Sequence, residues 1–281
     1  MHISYIQAIN NTISRLEAVG IEGAETESEL ILSELVDCHR FDLFFYYNDE
    51  VPQEILDSLE KIVQRREKHE PLQYILGHAY FMNLDLLVNP AVLIPRPETE
   101  LLVEHLCRAA LHGAKVLDLG TGSGAIALAL AFERKDLNII AVDISEDALR
   151  VAESNRAGYK LDKVKFLQSD LFSNLAGCRF DCIAANLPYI SKVEYLTLMP
   201  EVRDFEPELA LTAPDGGLEL IHKCIKKAPE YLNPGGCIIF EMGITQTQNI
   251  RKALKDTGKF RNIETIQDYS QRDRFVCAEL A

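Results

Sequence analysis

The sequence Val116-Leu117-Asp118-Leu119-Gly120-Thr121-Gly122-Ser123-Gly124 joins an apolar, β-prone run to a turn with three glycines at alternate positions. The apolar segment Ala125–Phe132 follows it directly. Glycine lets the backbone turn tightly and approach a ligand, because no Cβ interferes. We therefore predict a strand, a ligand-binding turn and a helix, which together open an α/β sheet.

The spacing of the glycines does not decide which ligand the loop binds. A dinucleotide fingerprint needs its third glycine at position 125, where this chain has Ala125, a tolerated substitute. Asp143 ends the next predicted strand, about 20 residues beyond the loop, where an acid can accept hydrogen bonds from ribose hydroxyls. NAD and S-adenosylmethionine both contain adenosine, so these residues predict a nucleoside-containing ligand without choosing between them. Alternatively, the turn only connects two elements and Asp143 only caps a helix.

Strand-like and helical segments alternate around this unit, which is typical of a parallel sheet covered on both faces. A final pair of strand-like segments, 262–267 and 274–279, predicts a hairpin at the sheet edge. The remaining predicted strands are 115–119, 138–142, 164–167, 180–185 and 237–240, and the predicted helices are 125–132, 146–157 and 218–231.

Three regions are expected along the chain. Residues 1–70 show apolar residues at helical spacing and predict a small helical domain. Residues 71–95 predict a β-hairpin linker, with strand-like stretches at 80–88 and 91–94 separated by the turn signal Asn89-Pro90. Residues 96–281 form the predicted ligand-binding domain.

The net charge of −14 argues against duplex DNA as the main partner, because such proteins usually carry a basic face. Residues 1–95 hold 6 Lys/Arg and 16 Asp/Glu. This acidic surface is either simply solvated or a docking face for a basic macromolecule.

Compartment and metal content are predicted from what the sequence lacks. The longest apolar run, Ala125–Phe132, is too short to cross a bilayer, and no secretory signal is visible, so we expect no membrane partner. The seven cysteines form no C-x-x-C pair, which predicts reduced thiols, a cytoplasmic location and no metal site.

Asn186-Leu187-Pro188-Tyr189 follows the fourth predicted strand of the sheet. The Asn186 side-chain oxygen and the Leu187 carbonyl can accept both hydrogens of a planar NH₂ group. Those hydrogen bonds strengthen as the nitrogen becomes pyramidal, which lowers the barrier to its attack on a methyl group. Tyr189 can stack on the planar group. A proline-containing turn closed by Asn186 is the purely structural alternative.

Four of these features resemble the amino-methylating branch of the class I S-adenosylmethionine-dependent methyltransferases: Asp118–Gly124, Asp143, Asp170 and Asn186–Tyr189. Further stretches resemble the peptide-chain release factor glutamine N5-methyltransferases, the PrmC/HemK family. They are 71–77 (PLQYILG), 94–100 (IPRPETE), 205–211 (FEPELAL), 232–236 (LNPGG) and 241–243 (EMG).

The resemblance implies a class I (Rossmann-like) methyltransferase fold, mostly parallel, preceded by a small helical domain that docks the substrate. It implies methyl transfer from S-adenosyl-L-methionine to the glutamine of the Gly-Gly-Gln motif of class I release factors. Apart from the resemblance, we expect a monomer without a direct nucleic-acid partner. Asn186, Leu187, Pro188 and Tyr189 would bind this glutamine and carry catalysis. The segment Arg96–Glu100 would line the cofactor site from the linker side. The implied cofactor contacts are Gly120, Thr121, Gly122, Ser123, Gly124, Asp143, Asp170, Leu171 and Asn186.

One position departs from the family pattern. Leu187 stands where the family usually has proline, but it supplies the same backbone carbonyl, so we expect activity to be retained. Three other functions remain open at this point. They are adenine-N6 methylation of nucleic acid, NAD(P)-dependent oxidoreduction, and a noncatalytic cofactor-binding module of the translation machinery.

Overall fold

A computed structural model describes residues 2–281 and divides the chain into two compact units. The helical unit contains the chain up to Leu76 together with Pro200–Phe205. The sheet unit contains Gly77–Met199 and Glu206–Ala281. None of the helices within residues 2–281 is both long and apolar enough to cross a membrane.

The helical unit begins with α1 (Tyr5–Ala18), α2 (Ala24–Leu35), α3 (Gln53–Arg66) and α4 (Leu72–Leu76). Ser4 and Gln7 form a capping box that satisfies the first free N–H groups of α1. The aromatic segment Arg40–Tyr46 forms a 3₁₀ helix. The apolar residues spaced along α1, α2 and α3 bury one another, with Leu16, Ile31, Leu32 and Val63 at most 1% exposed.

The next elements in chain order supply the sheet unit, apart from one short helix that belongs to the helical unit. That helix is α9, Pro200–Arg203. The others are β1 (His78–Phe81), β2 (Leu84–Leu87), α5 (Glu100–Ala109), β3 (Lys115–Leu119), α6 (Ala125–Glu133), β4 (Asn138–Asp143), α7 (Glu146–Tyr159), β5 (Val164–Gln168), β6 (Phe180–Ala185), α8 (Lys192–Tyr195), α10 (Glu208–Leu211), α11 (Glu219–Lys227), β7 (Leu232–Glu241), α12 (Thr247–Asp256), β8 (Phe260–Gln267) and β9 (Asp273–Leu280).

The main sheet has seven strands in the order β5-β4-β3-β6-β7-β9-β8. The first five of these are parallel, and β9 pairs antiparallel with both β7 and β8. The predicted α/β class, the mostly parallel sheet and the C-terminal hairpin are thus confirmed. The strand order reverses between β3 and β6, and ligands of such sheets bind at the carboxyl ends of the strands beside that reversal.

The predicted position of the early hairpin turn is wrong. Strands β1 and β2 pair with each other around Met82-Asn83, and residues 91–94 form no strand. The backbone N–H groups of Ala91 and Val92 bond back to Asn89, the first to its side chain and the second to its carbonyl. Pro90 has no N–H to donate. The backbone groups that a second strand would need are therefore already used within the turn.

The predicted helix 218–231 is also shorter than expected. Helix α11 ends at Lys227, and Pro229 lies in a separate 3₁₀ turn, Ala228–Glu230. Proline inside a helix loses a hydrogen bond and clashes with the preceding turn. Strand β7 begins at Leu232, five residues earlier than expected.

Candidate active site

The glycine-rich loop leaves the carboxyl end of β3 and leads into α6. Gly120, Gly122 and Gly124 all have positive φ angles, of 73°, 55° and 86°. A Cβ on Gly120 would lie 3.2 Å from Cδ2 of Leu187 and 3.4 Å from the carbonyl oxygen of Asn186. Gly120 thus lets the loop approach the Asn186–Tyr189 segment, and Gly124 similarly allows close packing against Leu128.

Asp143 holds this loop from the end of β4. One of its carboxylate oxygens accepts from the Gly122 N–H at 2.9 Å, and the other accepts from the Ser145 N–H at 2.9 Å. Burial raises the pKa of this carboxyl. Each carboxylate oxygen has a second lone pair, so Asp143 can hold the loop and still accept from a ligand hydroxyl. Ser145 itself caps α7, so the helix does not need Asp143 as its cap.

Asp118 lies beneath the same loop and is fully buried. Its Oδ2 accepts from the Thr121 hydroxyl at 2.6 Å, which fixes the loop to its strand. Its Oδ1 is buried without a hydrogen-bond partner among the described residues. Burial raises the pKa of the Asp118 carboxyl to about 7.

A cavity of about 380 Å³ opens over the carboxyl ends of β3, β4, β5 and β6. Eight of the predicted site residues line it: Gly120, Gly122, Asp143, Asp170, Leu171, Asn186, Leu187 and Pro188. Four do not: Thr121, Ser123, Gly124 and Tyr189. Thr121 and Ser123 are buried beneath the loop, so their side chains support it from below.

Two further segments line the cavity, and neither was among the site residues predicted from sequence. Ala91–Leu93 lies directly before the IPRPETE stretch, and Pro207, Leu209 and Ala210 lie within the FEPELAL stretch. Glu206 joins the two segments. The buried Glu206 carboxylate accepts from the Ile94 N–H at 3.3 Å and from Nη2 of Arg96 at 2.5 Å. Both motifs entered the sequence-based prediction only through their family resemblance, and no sequence signal marked the apolar residues of this wall.

The Asn186–Tyr189 segment is anchored at both ends. Asn186 Nδ2 donates to Thr99 Oγ1 at 3.3 Å. The Tyr189 hydroxyl donates to Glu241 Oε1 at 3.3 Å, and Gln246 Nε2 donates to the Tyr189 carbonyl at 2.8 Å. Burial raises the pKa of the Tyr189 hydroxyl. The segment therefore keeps one conformation through contacts outside the cavity.

Leu187 turns its side chain into the core rather than into the cavity centre, and it is 4% exposed. It packs within the cluster that also contains Leu119 and Phe240. A leucine at this position is thus accommodated by an apolar space beneath the segment.

A larger groove, of about 650 Å³, runs between α11 and α12. Its lining includes Lys226, Lys252 and Lys259, and it contains none of the predicted site residues. The cavity at the strand-order reversal is therefore the candidate active site.

The cavity fits the predicted S-adenosylmethionine. Its walls are mainly apolar, and a few acceptors converge on it, as is usual for cofactor sites. Asp143 offers free lone pairs for ribose hydroxyls, and Gly120 and Gly122 leave room for close backbone approach. The assignment of individual residues to the cofactor or the substrate stays a prediction.

Comparison with known proteins gives matches along both units. The family described as "PrmC N-terminal domain" matches residues 7–77, and the family described as "Methyltransferase small domain" matches residues 97–200. A Release factor glutamine methyltransferase of Geobacter sulfurreducens is 40% identical over 257 residues, which cover 92% of this chain and 90% of that protein. The protein of the same name from Escherichia coli K12 is 37% identical over 273 residues, 97% of each chain.

A solved structure supports the fold. The 16S rRNA N2 G1207 methyltransferase of T. thermophilus, in complex with AdoMet and guanosine, superposes with a TM-score of 0.52. It is 20% identical and covers 73% of this chain and 50% of that chain, so the likeness concerns the fold alone. The two relatives, in contrast, are 40% and 37% identical over 90% and 97% of their own lengths. On that evidence, this chain belongs to the release factor glutamine methyltransferase family.

Proposed function

We propose that this enzyme transfers a methyl group from S-adenosylmethionine to the side-chain nitrogen N5 of the Gly-Gly-Gln glutamine in class I release factors. The family assignment supports a methyltransferase that uses this cofactor and acts on a release factor glutamine. The observation that carries the finer proposal is the anchoring of Asn186 through its Nδ2 atom. This bond leaves its Oδ1 atom free for a substrate N–H at the cavity wall.

The chemical problem is the weak nucleophilicity of an amide nitrogen, whose lone pair is delocalised into the carbonyl. Asn186 Oδ1 and the Leu187 carbonyl would accept the two N–H bonds of the glutamine amide. These hydrogen bonds strengthen as the nitrogen loses planarity, so they stabilise the transition state more than the ground state. Pro188 restricts Leu187 to extended geometry and so fixes the direction of its carbonyl.

The cofactor, when bound, supplies an electrophilic methyl group on a positively charged sulfur. Asp143 would hold the ribose, and Gly120 and Gly122 would border the rest of the cofactor. Asp170 and Leu171 would form the wall beside the adenine. Tyr189 would border the glutamine, although its hydroxyl is already bonded to Glu241.

The regions of the chain divide the work. Residues 1–70 would dock the release factor, residues 71–95 would link the two domains, and residues 96–281 would catalyse methyl transfer. The acidic charge of residues 1–95 supports docking of a basic protein surface rather than nucleic acid. Release factors act in translation, so the proposed place of action is the cytoplasm.

The test is methylation of a purified class I release factor with methyl-labelled cofactor, followed by mass spectrometry of its Gly-Gly-Gln peptide. We expect one added methyl group on the glutamine. Asn186→Ala should lower the rate on the order of 10²–10³-fold, the usual cost of losing one transition-state hydrogen bond. Methylation of DNA or RNA adenine instead of the peptide would contradict the proposal. Cofactor binding without any turnover would select the noncatalytic alternative.

A further inference from the structure

Thr99 and Glu241 form a buried pair of polar groups directly behind Asn186. The Thr99 hydroxyl donates to Glu241 Oε2 at 2.6 Å, and it accepts from Asn186 Nδ2 at 3.3 Å. Both residues are buried, with Thr99 4% and Glu241 2% exposed. Thr99 belongs to the segment Arg96–Glu100, which the resemblance placed along the cofactor site, but neither Thr99 nor Glu241 lines the cavity.

The direction of the hydrogen bonds in the series Asn186–Thr99–Glu241 is fixed by a single hydrogen atom. A threonine hydroxyl has a single hydrogen, and here the Glu241 carboxylate takes it. The Thr99 oxygen can then only accept from Asn186. Asn186 must therefore turn its NH₂ group toward Thr99 and its Oδ1 away from it.

These hydrogen bonds have a single fixed direction only if Glu241 is ionised, and two observations support its ionised form. The separation of 2.6 Å is typical of a hydroxyl bonded to a charged oxygen. The other carboxylate oxygen, Oε1, accepts from the Tyr189 hydroxyl, so both oxygens face donors. Burial raises the pKa of the Glu241 carboxyl, and the charge of Glu98 acts in the same direction. The hydrogen bonds from Thr99 and Tyr189 and the charge of Arg274 on β9 act against this rise and favour the ionised form.

We propose that Thr99 and Glu241 are positioning residues that set the orientation of the Asn186 carboxamide, so that its oxygen rather than its nitrogen faces the substrate amide. The inference rests on the proposed role of Asn186 as acceptor for the glutamine NH₂. A reversed carboxamide would present two N–H groups to the two N–H groups of the substrate, and binding geometry for transfer would be lost. Glu241 also fixes Tyr189, so one carboxylate sets both ends of the Asn186–Tyr189 segment.

The test compares Thr99→Val with Thr99→Ser in the full-length protein, using a purified class I release factor and S-adenosylmethionine. Valine keeps the shape but removes the hydroxyl, and serine keeps the hydroxyl. We expect Thr99→Val to lower kcat roughly tenfold or more, because small misplacement of a catalytic group is costly. The Kd of the cofactor should stay within about twofold, since its contacts in the cavity are intact, and Thr99→Ser should recover most of the wild-type kcat.

A matched control separates orientation from stability. The hydroxyl of buried Thr247 also donates to a carboxylate, that of Asp273, at 3.0 Å. Thr247→Val should lower the Tm about as much as Thr99→Val while leaving kcat unchanged. Equal kcat values for wild type and Thr99→Val, or equal losses in the valine and serine variants, would overturn the proposal.

A second variant keeps the test decisive if Thr99→Val does not fold. Glu241→Gln preserves volume but offers Thr99 an N–H as well as an oxygen, so both orientations of the Asn186 carboxamide become possible. We expect a several-fold loss of kcat with little change in cofactor Kd; an unchanged kcat would again overturn the proposal. If the wild-type enzyme itself fails to methylate the release factor, the proposed function fails instead.

Discussion

The carboxylates of the helical unit and those of the active site have different partners. In the helical unit, Arg66 bonds to both Glu27 and Glu201, and Arg15 bonds to both Glu60 and Glu67. At the active site, Asp118, Asp143 and Glu241 instead accept from hydroxyls and backbone N–H groups. Guanidinium groups thus bind these four glutamates of the helical unit, and neutral donors bind these three acids of the sheet unit, where Glu206 with its partner Arg96 follows the first pattern.

The two sets of partners give the carboxylates different electrostatic environments. A buried arginine compensates two acids, and the pair contributes chiefly to the fold. A neutral donor fixes the direction of a carboxylate but leaves its negative charge uncompensated. Burial then raises the pKa values of Asp118, Asp143 and Glu241. Of these three acids only Asp143 lines the cavity, where its carboxylate would favour a positively charged guest such as S-adenosylmethionine.

The largest predicted effect is a loss of stability in the helical unit. Arg66→Met should lower the free energy of unfolding by about 3–5 kcal/mol, because it leaves two partly buried glutamates without their positively charged partner. Arg65→Met is the matched control, since Arg65 is 47% exposed and Arg66 only 5%. The control should cost about 1 kcal/mol or less. Denaturant unfolding measures both, and equal losses would break the comparison.

The next effect concerns Asp143. Asp143→Ala should weaken cofactor binding by about 1.5–3 kcal/mol, or roughly 10- to 100-fold, the usual range for hydrogen bonds to a charged acceptor. Isothermal titration calorimetry measures this change. Asp256→Ala removes the same charge from an exposed ion pair with Lys252 and should leave the affinity unchanged. An unchanged Kd for Asp143→Ala would remove Asp143 from the cofactor site.

A pH-dependent effect, smaller for each pH unit, is expected at Asp118. Its pKa is about 7 in the folded protein and about 3.9 in an unfolded chain, so the folded state holds the proton more tightly. Its favourable contribution is complete below pH 4 and is lost as the pH rises through 7. Asp118→Asn should therefore gain about 1.4 kcal/mol of stability relative to wild type for each pH unit between pH 4 and pH 7. Thermal unfolding at several pH values measures it, and a gain toward low pH would contradict the sign.

The smallest effect is expected at Leu187. Leu187→Pro restores the family's residue but changes kcat by no more than about threefold, because the segment is already fixed by Glu241 and Gln246. Steady-state methylation of a release factor measures the change. An inactive wild type beside an active Leu187→Pro variant would show that the proline itself is required.

Most of the fold could be predicted from sequence, because hydrophobic period and glycine spacing act locally. The runs 115–119 and 180–185 matched the observed strands β3 and β6. The turn signal Asn89-Pro90 led to a wrong prediction of a strand at 91–94. Periodicity alone had favoured a strand pairing there, but the Asn89 side chain accepts from the Ala91 N–H instead. The site residues on the loops were recognised by their chemistry, and eight of them line one cavity.

Thr99 and Glu241 could not be predicted as a pair, because they are 142 positions apart and approach only through the sheet. Nothing local marks a threonine at the start of α5 as a partner for a glutamate at the end of β7. Their relation depends on strand order, which the sequence pattern specifies only as a class.

The helical unit is discontinuous in sequence, because Pro200–Phe205 belongs to it while both flanking segments belong to the other unit. The chain therefore passes between the units three times. A fragment ending at Leu76 would lack Glu201, and with it one partner of Arg66. A single crossover anywhere within residues 77–199 would therefore separate the two segments of this unit. Only an exchange that includes both segments would keep Arg66 with the Glu201 of its own parent sequence.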